Sequence, residues 1–390
     1  MTFVSILRFF FNTGRPRLSP IAFCYASLLV TFRSLVIFAE TPAVDLRNLQ
    51  PALEMIRSKH QLPAIGAALV TTEGLSTLGT TGVRKRGELS QVTDDDLWHL
   101  GSCSKAITAT MIARLVERGK LKWEQTLGDT FPELVGNMSP AIKSITLSNL
   151  LSHRSGLNAN FQLRKYLNET DMIAARKRTL VEAMNTPLNS APGTKFLYSN
   201  WGYTIAGTMA ERVSGKTWED LMKIEVFEPL KMKSAGFGGI GTIGKIDQPW
   251  PHTENGKPTL MNGPKVDNVP TMGPAGTIHM TLEDWGKFIS EHLRGAKGKS
   301  DYLQKESFEK LHKPTDGDYA FGWRSMERGW AGGKAIFHNG DNTMNFAVVW
   351  AAPEKGFAVL AVLNQSSTHQ AADDTVSAII QAYGLEMIDK

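Results

Sequence analysis

The sequence places a serine and a lysine three residues apart, in Leu100-Gly101-Ser102-Cys103-Ser104-Lys105, at the mouth of an apolar stretch over residues 106–118. If that stretch is a helix, the two side chains lie on one face about one turn apart, and the amine can reach the hydroxyl. A serine at a helix start also has free backbone N–H groups and the positive end of the helix dipole beside it, which favours a developing oxyanion. The chemistry open to such a pair is acyl transfer. Lys105, with its pKa depressed by burial or a nearby cation, takes the proton, and Ser102 attacks. Cys103 projects about 100° around the helix from Ser102, and it reads as a small buried hydrophobe. The same spacing recurs at Ser307 and Lys310, but within the charged stretch 305–313, which reads as a solvated helix face.

Two further patterns supply partners. Pro192-Gly193-Thr194-Lys195-Phe196-Leu197-Tyr198-Ser199-Asn200 is a turn delivering a tyrosine and an asparagine two residues apart. In an extended loop both can face one cleft, the phenol relaying a proton and the Asn200 amide binding a substrate carbonyl. Tyr166-Leu167-Asn168 repeats the spacing without the Pro-Gly approach, and reads as core packing. Phe337-His338-Asn339-Gly340 falls on an expected strand. Gly340 would let substrate approach the backbone, and the Asp341 N–H could join the Ser102 N–H as second oxyanion donor. His99-Leu100-Gly101, another H-x-G, reads as the lead-in to Ser102.

The order S-x-x-K, Y-x-N, H-x-G, with Ile145-Thr146-Leu147-Ser148-Asn149-Leu150-Leu151-Ser152-His153-Arg154-Ser155-Gly156-Leu157 between the first two, resembles the class C β-lactamase and penicillin-binding protein family. Gly119-Lys120-Leu121, Ala275-Gly276-Thr277, Phe321-Gly322-Trp323 and Val362-Leu363-Asn364 extend the likeness to about residues 50–385. The resemblance implies a serine hydrolase in which Ser102 is acylated and Lys105 and Tyr198 shuttle its proton. Asn200, His338, Gly340 and Asp341 then line the substrate side, while His153 and Arg154 read as structural. The substrate would be a small molecule or peptide with an ester, amide or β-lactam bond. A carboxylesterase or D-aminopeptidase would use the same acyl-enzyme steps without useful β-lactamase activity. A non-catalytic penicillin-binding sensor or wall-binding protein would keep the fold alone. Two departures stand out. His338 replaces the usual lysine, so a permanent cation becomes a group mostly neutral at pH 7, and acidic Asp341 follows the glycine. Both point away from anionic penicillins and towards neutral esters, amides or D-amino-acid peptides.

Positioning these residues calls for an α+β fold, an antiparallel sheet flanked by helices with a mostly helical inserted subdomain. Leu46, Leu49, Leu53 and Ile56 recur at helical spacing. Runs 64–71 and 75–83, joined at Thr72-Glu73-Gly74, read as a hairpin. Residues 87–270 carry helical stretches such as 106–118 and 204–213 among Gly, Pro and Asn turns. Thr281 caps a helix with an acidic first turn. Strands at 335–338, 345–350 and 357–363 follow, then an amphipathic helix over 371–383 that should pack on them. The domain therefore spans 45–385, its sheet part 45–86 and 271–385, its helical insertion 87–270, with the last strands pairing with the first.

Composition fits one globular domain, 390 residues at 42% hydrophobic and 21% charged. The net charge of +5 owes most to Arg8, Arg15, Arg17 and Arg33; without these four, 39 basic residues face 38 acidic ones. A nucleic-acid partner thus loses its electrostatic argument. Residues 1–39, basic and then apolar with no acidic residue, read as an export signal or a membrane anchor, implying a periplasmic or secreted protein, tethered if the segment is retained. The two cysteines are Cys24 and Cys103, so loss of the leader leaves one thiol and no intramolecular disulfide. The nine histidines show no paired ligand spacing, and neither metal nor cofactor is expected.

Overall fold

The six strands that build the main sheet come from the two ends of the chain. The computed structural model describes residues 44–260 and 263–388, so the leader and Cys24 lie outside the described residues. Helix α1 (Gln50–Lys59) takes Pro51 in its first turn and buries Ala52, Leu53 and Ile56. The hairpin follows as β1 (Ala64–Thr71) and β2 (Gly74–Gly82). Next come the two-residue strands β3 (Trp98–His99) and β4 (Gly236–Phe237) and the short β5 (Ile278–Met280), which form a second sheet in the order β3-β5-β4. This sheet was not foreseen, because two or three residues are too few to show a period of two.

The C-terminal strands are β6 (Arg324–Arg328), β7 (Gly333–Asp341), β8 (Phe346–Ala352) and β9 (Phe357–Leu363). The main sheet runs β2-β1-β9-β8-β7-β6 with every pairing antiparallel, Ala67 opposite Ala361 and Gly340 opposite Ala347. Its central strands are apolar on both faces. In β9, Val359 and Ala361 join the cluster under α1 and α7 (His369–Ile388), while Leu360 and Val362 join the cluster on the opposite face. Continuous apolar runs are what burial of both faces requires.

Three longer helices lie between β2 and β5, the first carrying Lys105 and the third beginning at Asn200. They are α2 (Ser104–Glu117), α3 (Met172–Met184) and α4 (Asn200–Ser214). Then α5 (Leu282–Ala296), capped by Thr281 Oγ1 accepting from Asp284 N at 3.2 Å, covers the sheet, and α6 (Lys305–His312) packs beside it. Arg176 on α3 is fully buried. It donates to Glu211 of α4 at 2.6 Å, to Glu219 at 2.5 Å and to Thr271 O at 3.1 Å, so one guanidinium fastens α3 and α4 to the segment leading into β5. Among the described residues no helix is long and apolar enough to cross a membrane.

Candidate active site

Ser102 sits on a 3-10 turn, Gly101–Cys103, between β3 and α2. Two glycines make that turn possible. Gly101 has φ +49°, a left-handed value, and a Cβ there would fall 2.9 Å from Gly340 C and 3.0 Å from Asp341 N. A Cβ on Gly340 would collide with Leu100 O and lie 2.6 Å from Ser102 N. The Ser102 turn and the end of β7 are therefore in backbone contact, with the N–H groups of Ser102 and Asp341 at the same junction.

Lys105 is completely buried, one turn beyond Ser102. Its Nζ lies 3.0 Å from Ser102 Oγ, 2.7 Å from Asn200 Oδ1 and 2.7 Å from Ala275 O. Burial pushes its pKa well below the usual 10.5. The partners explain how a neutral amine fits. The two carbonyl oxygens accept its two N–H bonds, and the lone pair faces the Ser102 hydroxyl. Tyr198 covers the same nitrogen, which stands 4.8 Å above its ring. Burial raises the Tyr198 phenol above 10, with a hydrogen bond to Ser102 working in the opposite direction.

Asn200 is not in an extended loop as its sequence context suggested. Ser199 Oγ accepts from Gly202 N at 2.9 Å and caps α4, so Asn200 is the first helical residue and Tyr198 precedes the extended cap residue. The Asn200 carbonyl is spent on Lys105, and its Nδ2 donates to Asn160 Oδ1 at 2.9 Å. His338 is buried, with Nδ1 2.7 Å from Asn339 O and Nε2 3.0 Å from Tyr319 Oη. Nδ1–H must donate to the carbonyl, so Nε2 accepts from the tyrosine, and both nitrogens are occupied. Burial brings its pKa down to about 3, so the ring is neutral. The Asp341 carboxylate accepts from Thr343 N at 2.6 Å, from Ser366 Oγ at 2.9 Å and from Ser367 N at 3.0 Å.

Sequence reading missed several neighbours. Tyr319 packs against His153 (4.5 Å) and Tyr198 (6.2 Å) as well as His338. Arg324, opposite Phe337 in the β6-β7 ladder, is the cation whose field reaches Tyr198, Tyr319 and His338, but Asp318 holds it at 2.5 Å. No motif marks either residue. His153 is buried with φ +59° and Nδ1 accepting from Ser199 N at 3.0 Å, an anchor for the loop carrying Tyr198. The lookalike patterns are elsewhere. Ser307 Oγ donates to Glu117 and Tyr166 Oη to Glu182, both away from the cluster. Cys103 is buried, its thiol pushed up by desolvation. Among the described residues no group of His, Cys, Asp and Glu is arranged to hold a metal ion. A cavity of about 920 Å³ lined by Trp330, Phe357, Ile380 and Tyr383 shares no residue with this cluster.

The β-lactamase family model matches residues 47–383, from α1 to the end of the sheet and into α7. The chain belongs to the β-lactamase family. Among curated relatives of this β-lactamase-family serine hydrolase, penicillin-binding protein 4 of Amycolatopsis lactamdurans is 24% identical over 82% of this chain and 85% of its own length. The lovastatin esterase of Penicillium rubens is 32% identical over a shorter segment, 39% of this chain and 42% of its own. Among solved structures, the D-alanine carboxypeptidase AmpC from Burkholderia cenocepacia superposes with a TM-score of 0.67 at 18% identity, covering 84% of this chain and 96% of that one. That likeness carries the fold, an antiparallel sheet with helices around it.

Proposed function

We propose that this chain hydrolyses an ester, amide or β-lactam bond through an acyl-enzyme on Ser102. The observation that carries the reading is the buried Lys105 amine, depressed in pKa and 3.0 Å from Ser102 Oγ. The Ser102 proton passes to Lys105 as Oγ bonds to the substrate carbonyl carbon, and the carbonyl oxygen gains negative charge facing the Ser102 and Asp341 N–H groups. Tyr198 then gives its phenol proton to the leaving group as the carbonyl re-forms and the bond to that group breaks, and the proton held by Lys105 restores the phenol. Water or an amine takes the acyl group in a second, similar step. The export reading of residues 1–39 accompanies this proposal, and N-terminal sequencing of the protein purified from its host tests it.

A neutral substrate is the second reading, favoured by His338. With both nitrogens occupied and the ring uncharged, the third motif supplies no cation for a substrate carboxylate, and Asp341 adds a negative charge beside the oxyanion donors. The name of the fungal esterase relative agrees with such a substrate. The test is intact-protein mass spectrometry after incubation with a penicillin and, separately, with a p-nitrophenyl ester. An adduct or turnover that disappears in Ser102→Ala supports serine acyl transfer. Inertness towards both substrates would instead favour a ligand-binding protein without turnover.

A further inference from the structure

We propose that His99 is a positioning residue for acyl transfer, acting with Asp267 and Asn342 to hold both oxyanion donors in register. His99 is buried, three residues before Ser102, at the end of β3. Its Nδ1 accepts the Gly101 N–H at 3.0 Å, which puts the ring proton on Nε2. That nitrogen lies 2.8 Å from Asp267 Oδ1, although its N–H is not aimed straight at the oxygen. The same carboxylate oxygen accepts from Asn342 Nδ2 at 3.1 Å. Asn342 is the residue after Asp341, and its own Oδ1 accepts from Asn345 N at 2.9 Å and Met344 N at 3.3 Å, which fixes the turn leaving β7. One buried carboxylate therefore grips the Ser102 turn through His99 and the Asp341 turn through Asn342.

The chemistry gives this linkage a purpose. An oxyanion is stabilised only by donors already aimed at it, and misplacement by about 1 Å costs on the order of 100-fold in rate. Ser102 N–H and Asp341 N–H come from segments far apart in sequence that meet at two glycines, in a contact made by backbone packing and the Cys103 thiol. The His99–Asp267–Asn342 bridge spans that contact. Further along, Asn268 Nδ2 donates to Gly276 O at 2.8 Å, and Ala275 O receives Lys105, so the segment that carries Asp267 also backs the base. Asp267 Oδ2 is buried and without a partner, which leaves the Asn342 hydrogen bond and the His99 contact at Oδ1 to compensate the carboxylate.

This inference rests on the proposed function, and its test separates the two. His99→Ala and Asn342→Ala are made in the full chain and assayed with p-nitrophenyl acetate. Phenylboronic acid, which forms a tetrahedral adduct on a reactive serine, is titrated in parallel. In His99→Ala, kcat falls about 10- to 100-fold while KM stays within about two-fold, and boronate affinity weakens by the same factor as kcat. Asn342→Ala shows the same pattern to a smaller degree, and carries the test if His99→Ala does not fold. Adding Asp267→Ala to His99→Ala lowers kcat further only by about the factor lost in Asn342→Ala, because once His99 is gone the carboxylate acts through Asn342 alone. A merely structural role would reduce the fraction of reactive Ser102 and leave the boronate affinity of the remainder unchanged, which overturns the inference. Wild-type protein that is not acylated at Ser102 overturns the proposed function and this inference together. Acylated wild type with unchanged kcat and boronate affinity in both variants overturns this inference alone.

Discussion

Lys105 Nζ lies 3.0 Å from Ser102 Oγ, and its other two partners, Asn200 Oδ1 and Ala275 O, are neutral acceptors. A buried amine without a carboxylate among these partners is held in the form that can accept a proton. Because its pKa is well below 10.5, the fraction of neutral Lys105, and with it kcat/KM, rises with pH through an inflection well below 10.5. Lys105→Arg, which keeps a cation that does not deprotonate, lowers kcat/KM by about 100-fold or more and removes that inflection. A pH–rate profile of both proteins checks this, and an ascending limb centred near 10.5 in the wild type would sink it.

Tyr198→Phe separates the phenol from the ring. The ring packs on His153 at 4.2 Å and lies beneath the Lys105 amine, so the phenylalanine variant keeps the packing and loses only the hydroxyl next to Ser102. Thermal stability should hold within about 1 kcal/mol, while kcat drops by about 100-fold or more through loss of the proton route. A variant with full turnover would remove Tyr198 from the mechanism.

What the sequence revealed, and what it hid, follows the range of the interaction concerned. Ser102 and Lys105 were legible because helix geometry alone brings positions three apart together. The main sheet was legible because β1, β8 and β9 are long apolar runs, whereas edge strand β6, Arg-Ser-Met-Glu-Arg, is polar and left no trace. Asn200 looks like a loop residue in the sequence because Tyr-Ser-Asn carries no apolar period, and only the Ser199 cap makes it the start of a helix. His99 passed for a lead-in because its partner, Asp267, is brought to it only by the tertiary fold. His338 was identified as part of the site, but that both its nitrogens are occupied depends on Tyr319, which no local pattern marks.

Removing the charge at Asp341 tests the preference for neutral substrates. In Asp341→Asn the amide can still accept from Thr343 N, but its Nδ2 would face the Ser367 N–H, a donor against a donor. The variant should lose about 1–2 kcal/mol of stability yet acylate faster with an anionic penicillin, with p-nitrophenyl acetate turnover little changed. Second-order acylation rates measured with both substrates decide it. Equal effects on the charged and the neutral substrate would show that Asp341 acts on turn geometry and not on substrate charge.

The buried and half-buried histidines set the acid limit of the fold. His252 and His279 are lowered to about 4, His312 and His338 to about 3, and His153 and His292 lie well below 6.5, burial being the largest cause in each. The pair on α5 and α6 shows why a proton cannot be added cheaply. Thr110 Oγ1 donates to Ala106 O, so it accepts from His292 Nε2 at 3.1 Å, and His292 Nδ1 is left to accept from His312 Nε2 at 2.8 Å. Both rings are neutral in that chain of donors, and a second proton on His292 would face a donor. In the unfolded chain each histidine binds a proton near about 6.5, so below that pH the unfolded state carries more protons and stability rises with pH. The contribution is complete above about pH 6.5 and is lost as pH falls towards the folded values, at a limiting slope of about 1.4 kcal/mol per pH unit for each histidine. Urea midpoints should therefore fall steeply between pH 7 and pH 5, before the carboxylates of Glu54 and Asp374, each lowered to about 2, begin to protonate in the folded state. His312→Gln should flatten the slope, since it removes one titrating ring. A urea midpoint that stays constant from pH 7 to pH 5 would mean that these rings take up protons without unfolding, and that their burial is looser than the packing around Phe288, Phe308 and Trp323 implies.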